Sequence, residues 1–230
     1  MQFDFADAII WYVVFLYSIV SHEAAHAWAS YRLGDDTAYR GGQVSLDPTP
    51  HVKREPFGMV AVPILSYIIG GWMIGWASAP YDPQWALRHP RRAAWMALAG
   101  PAANLIFVIL AGIALRAGLQ AGFFDLPSSL GFTEMVAGSG GKFAEGAATF
   151  LSILFSLNLL LFTFNLLPLP PLDGASIPLL FMPERLAGKY QEFIWQPAFN
   201  LIGLVVAWNV FGSIFGPVQL FAMRLLYAGL

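Results

Sequence analysis

The chain has 230 residues, 57% of them hydrophobic and 11% charged, with a net charge of −2 and no cysteine. A water-soluble domain carries about 25% charged residues. With a mean hydropathy of +0.61, this composition excludes a soluble enzyme and points to an all-α polytopic membrane protein, one membrane-embedded domain spanning 1–230. The missing cysteines exclude disulfides, thiolate metal sites and cysteine nucleophiles, and the lack of a basic run argues against nucleic acid as a partner.

Five apolar stretches follow in chain order, at 8–29, 59–76, 93–115, 147–167 and 193–215. The first, third, fourth and fifth hold 21 to 23 residues each, enough to cross the hydrocarbon as helices. The second has 18 residues, with Pro63 inside it and Gly70, Gly71 and Gly75 near its end. Such residues bend or break a helix, so it either spans or dips in and returns. If it returns, nine of the twelve Lys and Arg residues fall on one side and three on the other. If it spans, the division is seven against five. The re-entrant arrangement obeys the positive-inside rule better. It places the N-terminus outside a prokaryotic cytoplasmic membrane and loops 30–58, 77–92 and 183–192 in the cytoplasm.

Between the first two stretches, residues 40–57 combine Gly41-Gly42, a β-friendly run at Gln43–Leu46, and Pro48, Pro50 and Pro56. This composition predicts an irregular or β-hairpin-like loop near the active site, whose edge is expected to hold a substrate extended. The Gly- and Ser-rich 117–146 loop is expected to be flexible. The tail after Phe215 is expected to lie along the interface. The whole is a bundle of about four to six membrane segments.

The strongest chemical signal is His22-Glu23-Ala24-Ala25-His26. On a helix, positions i and i+4 share a face, so both imidazoles can bind one metal while the glutamate reaches an attacking water. His22 lies roughly 22 Å along a helix from Asp7 and His26 roughly 9 Å from Arg32, so the pair sits inside the bilayer, nearer the cytoplasmic end. Ionisable groups there are expensive and mark function.

Zinc requires a third protein ligand. Asp173 is the sole carboxylate between Glu145 and Glu184 and follows Pro168, Pro170 and Pro171. It is either that ligand or the N-cap of the apolar piece 175–182. Asn158 and Asn165 share a helix face. Asn158 reads as helix–helix glue, whereas Asn165, nearer Asp173, is either glue or a group that polarises a substrate carbonyl. Gly100-Pro101-Ala102-Ala103-Asn104 reads as a close-packing motif, and His51 and His89 as interfacial polar residues.

H-E-x-x-H in the first membrane helix, G-P-x-x-N in a later one and Asn165-x-x-Pro-x-Pro-x-x-Asp173-Gly174 thereafter resemble the site-2 protease family of intramembrane zinc metalloproteases, in its short prokaryotic form without PDZ or CBS domain. Lys53-Arg54 resembles an insertion, and Ser78 and Asp82 stand where those members often have lysine and asparagine. The resemblance implies one Zn²⁺ per chain on His22, His26 and Asp173, Glu23 as catalytic base, and Asn165 near the tetrahedral intermediate. It implies transmembrane segments of other proteins as substrates. No G-x-S-G or G-x-G-D accompanies it, so serine and aspartyl intramembrane proteases fit worse. The alternative is a non-catalytic membrane protein that binds client helices or carries a metal ion.

Overall fold

The computed structural model describes residues 5–229. Helix α1 (Phe5–Leu33) is followed by two short helices, α2 (Thr37–Arg40) and α3 (Pro48–Arg54). A π-helical turn at Phe57–Ala61 runs directly into α4 (Val62–Gly70), and a segment without regular secondary structure leads from there to α5 (Pro83–Arg88). Then come α6 (Pro90–Gln120), a two-residue strand pair β1 (Phe124–Asp125) and β2 (Ala137–Gly138), and α7 (Lys142–Asn165). A 3-10 helix (Asp173–Leu180), α8 (Glu184–Ile194) and α9 (Pro197–Leu226) complete the chain. Among the described residues, α1, α6, α7 and α9 are long and apolar enough to cross a membrane.

Helix α6 packs most extensively on α1 and α7, which also pack on each other. Ser18 pairs with Asn104 and Asn158, and further along α1 His26 pairs with Met96. Helix α6 is therefore antiparallel to α1. Pro101 lies inside α6 without ending it.

The second apolar stretch returns on itself. Phe57–Gly70 covers 14 residues, about 21 Å of helix, too short for a ~30 Å core. Gly71 then adopts φ 74°, closing α4, and Trp76 N donates to Gly58 O at 3.2 Å. Gly58 and Gly75 permit this approach, since a Cβ on either would fall on the other limb's backbone. Arg92 Nη1 also donates to Leu33 O at 3.1 Å, which holds the start of α6 beside the end of α1. Met59 and Met73, from the two limbs, are buried against Trp11, Phe15 and Ile153.

Three sequence expectations change. Residues 40–57 are irregular over 41–47 and then helical in α3, with no strand, so the irregular alternative holds there and the hairpin does not. Asp47 accepts from Thr49 N at 2.9 Å and Pro48 occupies the first helical position, and this start signal outweighs the β-friendly run. The two-stranded ladder lies instead in the loop after α6, pairing Phe124 with Gly138. That loop is packed: Phe124, Met135 and Val136 are buried with Leu115 and Phe155, and Phe132 stacks on Trp11. The tail does not leave the helix at Phe215. Helix α9 continues to Leu226 through Pro217, and Arg116 donates to the carbonyls of Leu225, Leu226 and Ala228 at its end.

Candidate metal centre

His22 and His26 project from one face of α1 and are buried at 6% and 8% exposure. Each imidazole is fixed by its Nδ1. His22 Nδ1 donates to Asn104 Oδ1 at 2.6 Å, and His26 Nδ1 to Met96 O at 2.8 Å. A backbone carbonyl cannot donate, so the Nδ1 of His26 carries hydrogen, and in the neutral ring that a metal requires its Nε2 keeps the lone pair. The two Nε2 atoms lie 2.9 Å apart.

Asp173 supplies the third atom. Prolines at 168, 170 and 171 cannot continue α7, which stops at Asn165, and the chain folds back through a cis Pro170–Pro171 peptide. Gly174 fits against the carbonyls of Leu166 and Leu167, where a Cβ would collide. Asp173 Oδ2 then sits 3.1 Å from His22 Nε2 and 3.3 Å from His26 Nε2. The N-cap of the 3-10 helix is Leu172 and Asp173 is its first residue, so the N-cap alternative is not what the fold uses. Oδ2 is also buried without a hydrogen-bond partner.

These three atoms fit a metal. With Nδ1 protonated on both rings, three acceptors face one another with no hydrogen between them, an arrangement that repels unless a cation joins it. Tetrahedral zinc with bonds of ~2.0–2.1 Å places its ligand atoms about 3.3 Å apart, close to the spacing here. Gly100 leaves the room, since a Cβ on it would fall on both Nε2 atoms. Among the described residues, His22, His26 and Asp173 are the group of three metal-ligating side chains that converges.

The centre opens onto a cavity of about 370 Å³ that Glu23, Asn165, Ala77–Tyr81, Trp195 and Asn200 also line. Glu23 is 7% exposed. Asn165 Nδ2 donates to Leu161 O at 3.1 Å, which leaves its second hydrogen available. The non-helical Ala77–Tyr81 run is held from outside. Gln43 Nε2 donates to Ser78 O, Ser78 Oγ donates to Glu55 Oε1, and buried Asp35 accepts from Asp82 N. Burial pushes the Tyr81 hydroxyl above its ordinary range, which keeps it protonated.

The structure thus brings together all five residues singled out in the sequence. It adds Asn104, which the sequence presented only as a packing residue, and the Ala77–Tyr81 run, which carried no motif. His51 lies elsewhere: buried, it donates from Nε2 to Ser45 O at 3.0 Å.

A helical membrane bundle with an H-E-x-x-H pair closed by an aspartate defines a metal-dependent membrane peptidase. The profile of peptidase family M50 matches residues 10–210, and the chain belongs to that family. It is 36% identical over 182 residues to YwhC of Bacillus subtilis, covering 78% of this chain and 72% of YwhC. It is 31% identical over 159 residues to Rip2 of Mycolicibacterium smegmatis, covering 69% of this chain and 52% of that protein. Against Rip2 of Mycobacterium tuberculosis (strain Erdman) it is 30% identical over 204 residues, or 88% and 69%. Each relative is named as a proposed zinc metalloprotease. No solved structure matches at a significant level. The chain is a multi-pass membrane metalloprotease.

Proposed function

We propose that this protein is an intramembrane zinc endopeptidase that cuts peptide bonds within or beside transmembrane segments of other membrane proteins, as a step of regulated intramembrane proteolysis. The observation that carries this reading is the convergence of His22 Nε2, His26 Nε2 and Asp173 Oδ2 beside Glu23 in one cavity. These three side chains would hold one zinc. When bound, it would supply Lewis acidity and bring the pKa of water towards ~7.

Glu23 takes the proton of the attacking water and returns it to the leaving amine. The free hydrogen of Asn165 Nδ2 is placed to meet the scissile carbonyl oxygen as it gains charge. A helical substrate must first unwind, because its carbonyls are already hydrogen-bonded. The Ala77–Tyr81 run, outside any helix and lining the cavity, offers a backbone edge for strand addition, in place of the 40–57 loop. An apolar cleft of about 670 Å³ is lined by Trp72–Gly75, Leu157, Phe164, Leu204 and Trp208, from the segment between α4 and α5, from α7 and from α9, each of which also lines the cavity. It suits a transmembrane segment arriving from the bilayer. The charge distribution supports a cytoplasmic-membrane location, with the N-terminus outside and the active site nearer the cytoplasm.

The test is zinc content of detergent-purified protein together with cleavage of a reporter transmembrane substrate. Wild type should hold about one zinc and cut. Glu23→Gln should hold zinc and lose ~10²–10⁴-fold in rate. Zinc bound without any Glu23-dependent cleavage would move the protein to the non-catalytic class that binds client helices or carries metal.

A further inference from the structure

Three fully buried polar side chains, Ser18 on α1, Asn104 on α6 and Asn158 on α7, have exposures of 0% and form one hydrogen-bonded chain that ends on His22. Its direction can be derived. The carbonyls of Leu154 and Ser18 only accept. Asn158 Nδ2 donates to Leu154 O at 2.8 Å and to Ser18 Oγ at 2.8 Å, so Asn158 turns its Oδ1 towards α6. Asn104 Nδ2 donates to that Oδ1 at 2.8 Å and to Ser18 O at 3.4 Å. The Oδ1 of Asn104 is therefore the atom left facing His22 Nδ1.

An amide oxygen cannot donate, so His22 Nδ1 must carry the hydrogen and the lone pair is left on Nε2. Flipping either amide would set carbonyl against carbonyl, or N–H against N–H, at a fully buried site. Unsatisfied polar groups are most costly there.

We propose that Asn104, itself oriented by Asn158 and Ser18, is a positioning residue that locks His22 into the one tautomer able to ligate the metal. The relay rests on the metal-centre reading above. It also gives the three-helix core a second task, because the contacts that join α1, α6 and α7 set the proton on a ligand. Asn158, which touches no ligand, thereby acts on the metal through Asn104.

The experiment is zinc affinity of the detergent-purified full chain, measured against a competing chelator, together with nitrogen NMR of zinc-loaded protein labelled at its four histidines. Wild type should show zinc on Nε2 of His22 and hydrogen on its Nδ1. Asn104→Leu should weaken zinc about 10–100-fold. Asn104→Asp, which keeps an acceptor for Nδ1–H but loses the donor to Asn158 Oδ1 and Ser18 O, should recover only part of that loss. Asn158→Leu should weaken zinc in the same direction. Zinc on His22 Nδ1 in the wild type would overturn the proposal even if no variant folds. So would a folded Asn104→Leu with wild-type affinity. A wild type that binds no zinc would instead bring down the metal centre and the relay with it.

Discussion

The Nε2 atoms of His22 and His26 lie 2.9 Å apart while both Nδ1 atoms are engaged elsewhere, one by a side chain of α6 and the other by its backbone. Two lone pairs held face to face beside the buried Oδ2 of Asp173 constitute a site whose repulsion a cation relieves. Stability should therefore depend on the metal. Chelation of the purified protein should lower its thermal midpoint, and zinc at a hundred times its Kd should restore about 2.7 kcal/mol. In Asp173→Ala, which removes the ligand outside α1, that zinc-dependent increment should vanish. An equal increment in Asp173→Ala, read by thermal unfolding in detergent, would show that Asp173 is no ligand.

Gly100 makes a separate prediction. It sits on α6 opposite the two imidazoles, and a methyl there would occupy the space where their Nε2 atoms meet. Gly100→Ala is otherwise benign for a helix, since alanine is the better helix former. The variant should fold, yet lose more zinc affinity than the ~10–100-fold typical of losing a ligand's outer partner. Zinc content after purification, beside a circular dichroism spectrum, checks both halves. A variant that keeps one zinc would mean that α6 shifts more freely than its packing suggests.

The site's chemistry was legible where it depended on spacing along one helix. His22 and His26 share a face because they are four residues apart, and Glu23 follows from its place in the motif. Asp173 was legible only as one of two possibilities, because a carboxylate after prolines can cap a helix or turn inward, and tertiary packing decides. Asn104 was legible as polar and buried, but which side chain it meets depends on how α6 is rotated against α1. A depth count along antiparallel helices from His22 would have been the available signal. The short helix α3 in 40–57 was signalled by Asp47-Pro48, a cap and a first-turn proline, but Gly41-Gly42 and the β-friendly run masked it. The order of the 121–141 loop comes from Phe124, Met135 and Val136 finding Leu115 and Phe155. Such contacts are invisible to a reading based on Gly and Ser content.

The Ala77–Tyr81 run predicts a loss of cleavage without a loss of metal. If substrate adds to this edge as a strand, replacing Ala79 with proline removes one main-chain donor. That should cost about 1 kcal/mol, or roughly fivefold in cleavage of a reporter substrate. Zinc content should stay at the wild-type level, because the anchors of the run on Gln43, Glu55 and Asp35 remain. A rate unchanged in Ala77→Pro and Ala79→Pro alike would rule out strand addition at this edge.

Helix α9 is the least buried of the four long helices, so its hold on the bundle rests on few groups. At its C-terminal end the Arg116 guanidinium donates to three carbonyls that no further turn can satisfy. The Tyr227 hydroxyl also donates to Met135 O there. Hydrogen bonds from a charged donor contribute ~1.5–3 kcal/mol, and Arg116 is only half-buried, so Arg116→Ala should cost about 1–2 kcal/mol. The loss should be local. Amide exchange should accelerate over residues 222–229 while the Nδ1–H groups of His22 and His26 keep their protection, because α1, α6 and α7 hold those without help from α9. Arg116→Lys should recover less than half of the loss, since an ammonium cannot match the planar fork that meets three carbonyls together. Exchange that rises equally at the metal centre would mean that α9 is part of the same cooperative unit.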